Sequence, residues 1–238
     1  MPMINYSITN RDFYFLIDSS GSMYNLYNPL SLGDNRRRFD YIRDCVDHNI
    51  CRVLAYRQEG KPICSEVTVA FFNVNQISKK IYLIPDSDRV KEKFDSVKPS
   101  GGTNIAPTFK HLMSQWLENR KQSGTDAAVV IYVDGLIDDL SEFVSGIKNV
   151  ASQIEHHSHL KILIIGIGEA INSERTVQRY FELDLNGFDF RDANGQPVSI
   201  VTFDRMDDVE EMGGVIPAIE AQLIENPETG LPDWLAGV

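Results

Sequence analysis

The 238-residue sequence lacks long apolar runs, which argues against a membrane-spanning chain. A transmembrane helix needs about 18 or more consecutive apolar residues, and no stretch approaches that length. The first residues, MPMINYSITNRDFYF, also lack a basic region followed by an apolar block, so we predict no signal peptide. We therefore expect a cytoplasmic protein without a membrane partner.

Cysteine is scarce, and the three present, Cys45, Cys51 and Cys64, form no C-x-x-C pair. An odd number without paired spacing is typical of thiols in a reducing compartment, not of a disulfide framework. Cys45 and Cys51 point to different faces of a predicted helix. We expect all three thiols to be buried or half-buried.

Positive charge is also in short supply, with 23 basic against 34 acidic residues and a formal net charge of −11. Proteins that bind nucleic acid usually present a basic surface, so we predict no nucleic-acid partner. The basic run Arg36-Arg37-Arg38 is predicted to be the solvated start of a helix, with a phosphate-binding role as the alternative.

The signature motifs of several enzyme classes are missing. The sequence contains no G-x-x-x-x-G-K-[ST], no G-x-S-x-G, and no G-x-G-x-x-G after a predicted strand. We therefore expect a protein that is not an enzyme.

Short β-rich segments alternate with longer segments of helical periodicity. Strands are predicted at 13–18, 66–73, 77–85, 127–134 and 160–168, and helices at 36–56, 88–97, 105–121, 139–155, 172–183 and 206–225. This alternation predicts an α/β fold with a doubly wound, mostly parallel sheet, helices on both faces, and one antiparallel edge strand at 77–85.

The chain shows no linker that would divide it, so we predict a single domain over residues 1–225. The turn signal Asn194-Gly195 predicts a β-hairpin insertion at 186–203. The turn-rich residues 226–238 are predicted to form a C-terminal tail.

Three short motifs are predicted to stand at strand ends or in a loop before a helix: Asp18-Ser-Ser-Gly-Ser22, Gly101-Gly-Thr103-Asn104 and Asp134-Gly135. Ligands of open α/β sheets bind outside the carboxyl ends of the strands, so we expect the motifs to converge. Their two carboxylates and three hydroxyls are hard oxygen donors, which favour Mg²⁺ or Mn²⁺ over Zn²⁺. The predicted metal ligands are Asp18, Ser20, Ser22, Thr103 and Asp134.

This order of motifs resembles the metal-ion-dependent adhesion site of von Willebrand factor A (VWA) domains. The resemblance implies a doubly wound fold and a metal whose open position is completed by a partner carboxylate. The segment VDGLIDD is also similar to the DG-x-x-DD stretch of intracellular bacterial VWA proteins, including those associated with tellurite resistance, a stress response. Here Leu136-Ile137 replaces the Pro-Thr that is usual in that stretch.

We therefore predict a metal-dependent protein–protein interaction module that binds an Asp or Glu of a protein partner through Mg²⁺ or Mn²⁺. One alternative is a Mg²⁺-dependent phosphatase or phosphoryl-transfer enzyme using Asp18, although Ser20 stands where a second acid would be expected. A third possibility is a scaffold whose metal mainly stabilises the fold.

Several other polar residues have two interpretations. The histidines His156, His157 and His159 are predicted to lie in a solvated loop, with a transition-metal site as the alternative. Asp138 and Asp139 are predicted to start a helix or, alternatively, to add charge around the metal. Asn73 is either a hydrogen-bond partner of the site or an edge polar residue. Trp116 is predicted to be core, and Trp234 to lie in the open tail.

Overall fold

A six-stranded sheet forms the centre of the structure, a computed structural model that describes residues 3–27, 36–73, 81–86, 88–185, 187–226 and 231–232. Its strands are β1 (Arg11–Asp18), β2 (Val67–Phe72), β3 (Ile81–Ile84), β4 (Asp126–Val133), β5 (Leu160–Gly166) and β6 (Val201–Arg205), in the order β3-β2-β1-β4-β5-β6. All neighbours are parallel except β3, which pairs antiparallel with β2 at the edge. The predicted mostly parallel sheet with one antiparallel edge strand is confirmed. Residues 77–80 of the predicted edge strand lie outside the described residues.

Helices cover both faces of this sheet. Those in the described residues are α1 (Arg38–Ala55), α2 (Asp88–Asp95), α3 (Ala106–Ser123), α4 (Leu140–Ala151), α5 (Glu174–Asp184), α6 (Met206–Glu211) and α7 (Val215–Gln222). One apolar core joins α3, α4 and α5 to the sheet, and the other joins α1, α2, α6 and α7 to its opposite face. Central strands covered on both sides must be apolar throughout, which is why β1, β4 and β5 are nearly continuous hydrophobic runs.

Helix α3 shows how local sequence sets an element's limits. Pro107 lies in its first turn, where a missing backbone N–H costs little, and Gly124 ends it with a φ of 66°. Trp116 is fully buried and donates its indole N–H to the Thr125 carbonyl at 3.1 Å. The prediction that Trp116 belongs to the core is confirmed, while Trp234 lies outside the described residues.

The single helix predicted over 206–225 is wrong, because two glycines divide it. Gly213 and Gly214 have φ angles of +97° and +106°, which a right-handed helix cannot accommodate. Helix α6 therefore ends at Glu211 and α7 begins at Val215.

Within the segment predicted as a β-hairpin, 186–203, the described residues 187–203 contain one isolated antiparallel bridge, between Arg191 and Pro197. Pro197 has no N–H with which to extend a ladder. Val201–Phe203 belong instead to β6, the parallel edge strand of the main sheet. The division into one domain over 1–225 and a tail stays a prediction. Where the predicted tail begins, the short strand Ile224–Asn226 pairs with Ile4–Asn5 and with Leu231–Pro232.

Two smaller predictions concern the thiols and the membrane. Cys45 is buried and Cys64 half-buried, but Cys51 is exposed, so the expectation that all three are covered is wrong for Cys51. It faces away from Cys45 on α1, where the core does not reach.

Within the described ranges, no helix combines the length and apolarity that a bilayer crossing requires.

Candidate metal site

The five predicted ligands lie together at the carboxyl edge of the sheet. Asp18 ends β1, and Asp134 follows β4, the strand beside it. Ser22 Oγ donates to Asp134 Oδ1 at 2.8 Å and lies 3.0 Å from Ser20 Oγ. Thr103 Oγ1 lies 3.5 Å from Asp18 Oδ2. We call these residues the five-residue site.

Two backbone loops join to form one wall of this site. The Ser20 N–H donates to Asp18 Oδ1 at 2.7 Å, which folds the chain back over the end of β1. The Gly21 N–H then donates to the Gly101 carbonyl at 2.9 Å, and the Ser100 N–H donates to the Ser19 carbonyl at 2.8 Å. Gly101 has a φ of 73°, which L side chains rarely adopt, so glycine suits this crossing.

Asn73 supports the same loop from below. Its Nδ2 donates to the Ser19 carbonyl at 2.9 Å and to Ser19 Oγ at 3.1 Å, and Asn73 is buried. Of its two interpretations, the structure supports a hydrogen-bond partner of the site.

The acidic pair after Asp134 holds the Thr103 loop. Asp138 Oδ2 accepts from the Thr103 N–H at 2.8 Å, and the Asp139 carboxylate accepts from the N–H groups of Ile105 and Ala106, both at 2.9 Å. Asp139 thus satisfies the start of α3, whereas its side chain makes no cap on its own helix α4. The predicted helix-start role therefore applies to a different helix from the one expected.

Gly102 makes this arrangement possible. A Cβ at position 102 would lie 2.4 Å from Asp138 Oδ2, so any side chain there would displace the carboxylate that positions Thr103. In the sequence, the adjacent acids of VDGLIDD indicated a polar role near the site, but they did not show that their carboxylates would bind the Thr103 loop.

Two buried carboxylates dominate the electrostatics of the site. Asp18 is 0% exposed and Asp134 is 2% exposed. Burial, followed by the charge of Asp134, raises the pKa of Asp18 to about 7, while hydrogen bonds from Ser20 and the Asp134 backbone oppose the rise. A cation placed here would relieve both the desolvation and the repulsion.

Arg38 supplies one positive charge at this edge. Its Nη1 lies 2.9 Å from Asp134 Oδ2, and the residue is 8% exposed. The prediction that the Arg36–Arg38 run is solvated is therefore wrong for Arg38, because its side chain turns inward to the buried carboxylate that follows β4. Asp18, by contrast, has no ion-pair partner within the described ranges.

The donor set fits Mg²⁺ or Mn²⁺. Three hydroxyls and two carboxylates converge, all of them hard oxygen ligands. Ser22 is half-buried, while Asp18, Ser20 and Thr103 are buried, so the site opens to solvent on the Ser22 side.

A second polar cluster lies at the opposite edge of the sheet, where the strands begin. Its members are Tyr6, His156, His157, Lys161 and Glu225, which we call the basal cluster. His157 Nε2 lies 2.8 Å from Glu225 Oε2, and its Nδ1 lies 2.8 Å from Lys161 Nζ. His157 is 5% exposed, so the predicted solvated loop is wrong at this residue. His156 and His159 are half-buried.

Hydrogen bonding accounts for the basal cluster. The ligand atoms of His156, His157 and Glu225 lie within 4.8 Å of one another, as a transition-metal site would require. However, the Ser158 N–H donates to His156 Nδ1, and Lys161 Nζ occupies the Nδ1 side of His157. The proton of each ring then lies on Nε2, which in His157 bonds to Glu225 Oε2 at 2.8 Å and in His156 lies 3.2 Å from Tyr6 Oη.

The basal cluster predicts an acid-sensitive contribution to stability. Burial, followed by the charge of Lys161, lowers the pKa of His157 to about 4. In the unfolded chain the His157 imidazole takes up a proton near pH 6.5, whereas in the folded chain it stays neutral until about pH 4. The free energy of unfolding therefore falls as the pH falls from 6.5 to 4. We expect wild type to lose about 2 kcal/mol relative to His157→Gln over this window, measured by urea unfolding. A pH-independent difference between the two proteins would contradict the assignment.

The fold of this chain is similar to that of solved VWA domains. No protein-family model and no curated protein sequence matches the chain. The VWA domain of SpRpn10 matches 82% of this chain and 87% of its own, with a TM-score of 0.52 and 16% identity. Manganese-loaded TRAP protein of Plasmodium vivax matches 87% of this chain and 74% of its own, with a TM-score of 0.49 and 14% identity. At such identities the likeness concerns the fold alone, and the chain has a VWA-like α/β fold.

Proposed function

We propose that this protein is a metal-dependent interaction module that binds a carboxylate of a protein partner through Mg²⁺ or Mn²⁺. The observation that carries the proposal is the convergence of Asp18, Ser20, Ser22, Thr103 and Asp134 at the carboxyl edge of the sheet. These residues come from three separate segments of the chain, and local capping does not require them to meet.

The roles of the five side chains follow from their chemistry. Ser20, Ser22 and Thr103 offer hydroxyl ligands, while Asp18 and Asp134 offset the charge of the ion. A bound divalent cation supplies a positive centre that attracts an Asp or Glu side chain. The half-buried Ser22 side is the approach for that partner.

The burial of Asp18 favours binding over phosphoryl transfer. Asp18 is fully buried, and its Oδ1 already accepts from the Ser20 N–H. A nucleophilic aspartate must reach the phosphorus of its substrate. The cation beside the site is Arg38, whereas Lys161 lies in the basal cluster at the other edge. Mg²⁺-dependent hydrolysis of p-nitrophenyl phosphate that disappears in Asp18→Asn would favour the enzyme instead.

The decisive experiment compares partner capture by wild type and variants, with Mg²⁺ and with EDTA. We expect Asp18→Ala and Ser22→Ala to lose the partners that wild type captures only with Mg²⁺. Asp44→Ala is the control, because Asp44 lies on the exposed face of α1. Equal capture by Asp18→Ala and wild type, with and without EDTA, would contradict the proposal.

Thermal unfolding separates this function from a purely structural metal. For an interaction site we expect EDTA to leave the fold intact, and each site variant to unfold cooperatively. A structural metal predicts instead that EDTA and the same substitutions unfold the protein.

We also propose a cytoplasmic location and kinship with the intracellular bacterial VWA proteins, including the tellurite-associated group. The free thiols of Cys45, Cys51 and Cys64 support the first point. The second is supported by Asp138 and Asp139 of VDGLIDD, which hold the Thr103 loop.

A further inference from the structure

The Arg38 side chain contacts the five-residue site, although Arg38 belongs to helix α1 and not to the segments that carry the five ligands. Its backbone N–H donates to the Asn25 carbonyl at 2.9 Å, which fixes the start of α1 beside the loop that carries Ser20 and Ser22. Its side chain then crosses Gly168, where an added Cβ would lie 3.0 Å from Arg38 Nε. The guanidinium is thus held in one place, against Asp134.

The contact with Asp134 occupies that carboxylate. Asp134 Oδ2 pairs with Arg38 Nη1 at 2.9 Å, and Asp134 Oδ1 accepts from Ser22 Oγ at 2.8 Å. Both oxygens already have a donor, and one of the two buried negative charges already has a cation. An incoming metal therefore gains less from Asp134 than it would without Arg38.

The positive charge of Arg38 has the opposite effect on a carboxylate that binds after the metal. Arg38 raises the net charge of the metal-loaded site by one unit, whatever the total of the other groups. In a site this buried, one unit of charge at short range changes an affinity by about tenfold or more. An anion arriving at the loaded site is attracted by Arg38, whereas the metal itself is repelled.

We propose that Arg38 tunes the site by weakening its affinity for the divalent cation and strengthening the binding of a carboxylate to the loaded form. This inference rests on the proposed function. It assigns Arg38 as a positioning and charge-setting residue, and it favours an acidic ligand over a neutral one.

The test measures two affinities for wild type and for three variants. Calorimetry gives Kd for Mn²⁺, and titration of the Mn²⁺-saturated protein with acetate gives Kd for a minimal carboxylate. In Arg38→Met we expect Mn²⁺ to bind about tenfold more tightly and acetate about tenfold more weakly. Arg43→Met is the matched control, since it removes the same charge from α1 where Arg43 pairs with Asp40 and Asp44.

Arg38→Lys separates charge from geometry. Lysine keeps the charge without the planar guanidinium, so both affinities should stay close to those of wild type. If the two affinities of Arg38→Met change in the same direction, or match those of Arg43→Met, the tuning role is overturned. If wild type itself binds no Mn²⁺, the proposed function fails instead, and the two failures are distinguishable.

Discussion

Asp18→Asn is expected to stabilise the metal-free protein by up to about 4 kcal/mol while abolishing its response to Mg²⁺. Burial and the charge of Asp134 raise the pKa of Asp18 to about 7, so the folded state opposes ionisation of this group. The cost appears as the pH rises above 3.8 and is complete above about 7. Asparagine removes the charge, and its side-chain oxygen can still accept from the Ser20 N–H.

Urea unfolding in EDTA at several pH values checks this prediction. The stability advantage of Asp18→Asn should grow from pH 4 to pH 7, and Mg²⁺ should stabilise wild type alone. Asp44→Asn is the control, because Asp44 is exposed and its neutralisation should change stability by less than about 0.5 kcal/mol. A metal-free Asp18→Asn protein that is less stable than wild type at pH 7 would show that the carboxylate is satisfied without a metal.

Arg11→Ala is expected to lower the free energy of unfolding by about 3 kcal/mol without changing metal affinity. Arg11 is buried at the start of β1, where its guanidinium donates to the carbonyls of Ser7, Ala127 and Ser158. Alanine would leave three carbonyls without these donors and Asp126 without the 3.6 Å ion pair.

The control for this change is Arg11→Lys, which keeps the charge but cannot reach all three carbonyls in the same geometry. We expect it to lose about half as much stability as Arg11→Ala. Mn²⁺ affinity should match wild type in both, because Arg11 and the five-residue site lie at opposite ends of β1. A loss of metal binding in the folded Arg11→Lys protein would show that the two edges are coupled.

The residues of the site were predictable because their signal is local. An apolar run ending in Asp18 and another ending before Asp134 predict two buried strands, and parallel buried strands bring their carboxyl ends to one edge. Gly101 and Gly102 similarly marked the loop that presents Thr103. For these residues, position along a strand was enough to predict proximity.

Apart from Asn73, which ends a predicted strand, the partners of the site were not predictable because they depend on long-range packing. Arg38 pairs with a carboxylate 96 positions away, and a run of three arginines does not indicate which one turns inward. Asp139 caps α3 across 33 to 34 positions, although its sequence neighbours suggest its own helix. The buried His157 bonds to Glu225, 68 positions later.

The wrongly predicted single helix over 206–225 did contain a local turn signal, but the hydrophobic periodicity around it still favoured one helix. Gly213-Gly214 interrupts the predicted helix over 206–225, and paired glycines favour a turn. The apolar spacing on either side continued across the break, since both α6 and α7 pack against the same core.

The central claim is that the five-residue site binds a divalent cation, and anomalous scattering from a crystal soaked in Mn²⁺ tests it most directly. We predict a strong peak within about 2.5 Å of the hydroxyl oxygens of Ser20, Ser22 and Thr103. The same peak should be absent from crystals of Asp18→Ala. No peak at this position in wild type at saturating Mn²⁺ would contradict the account.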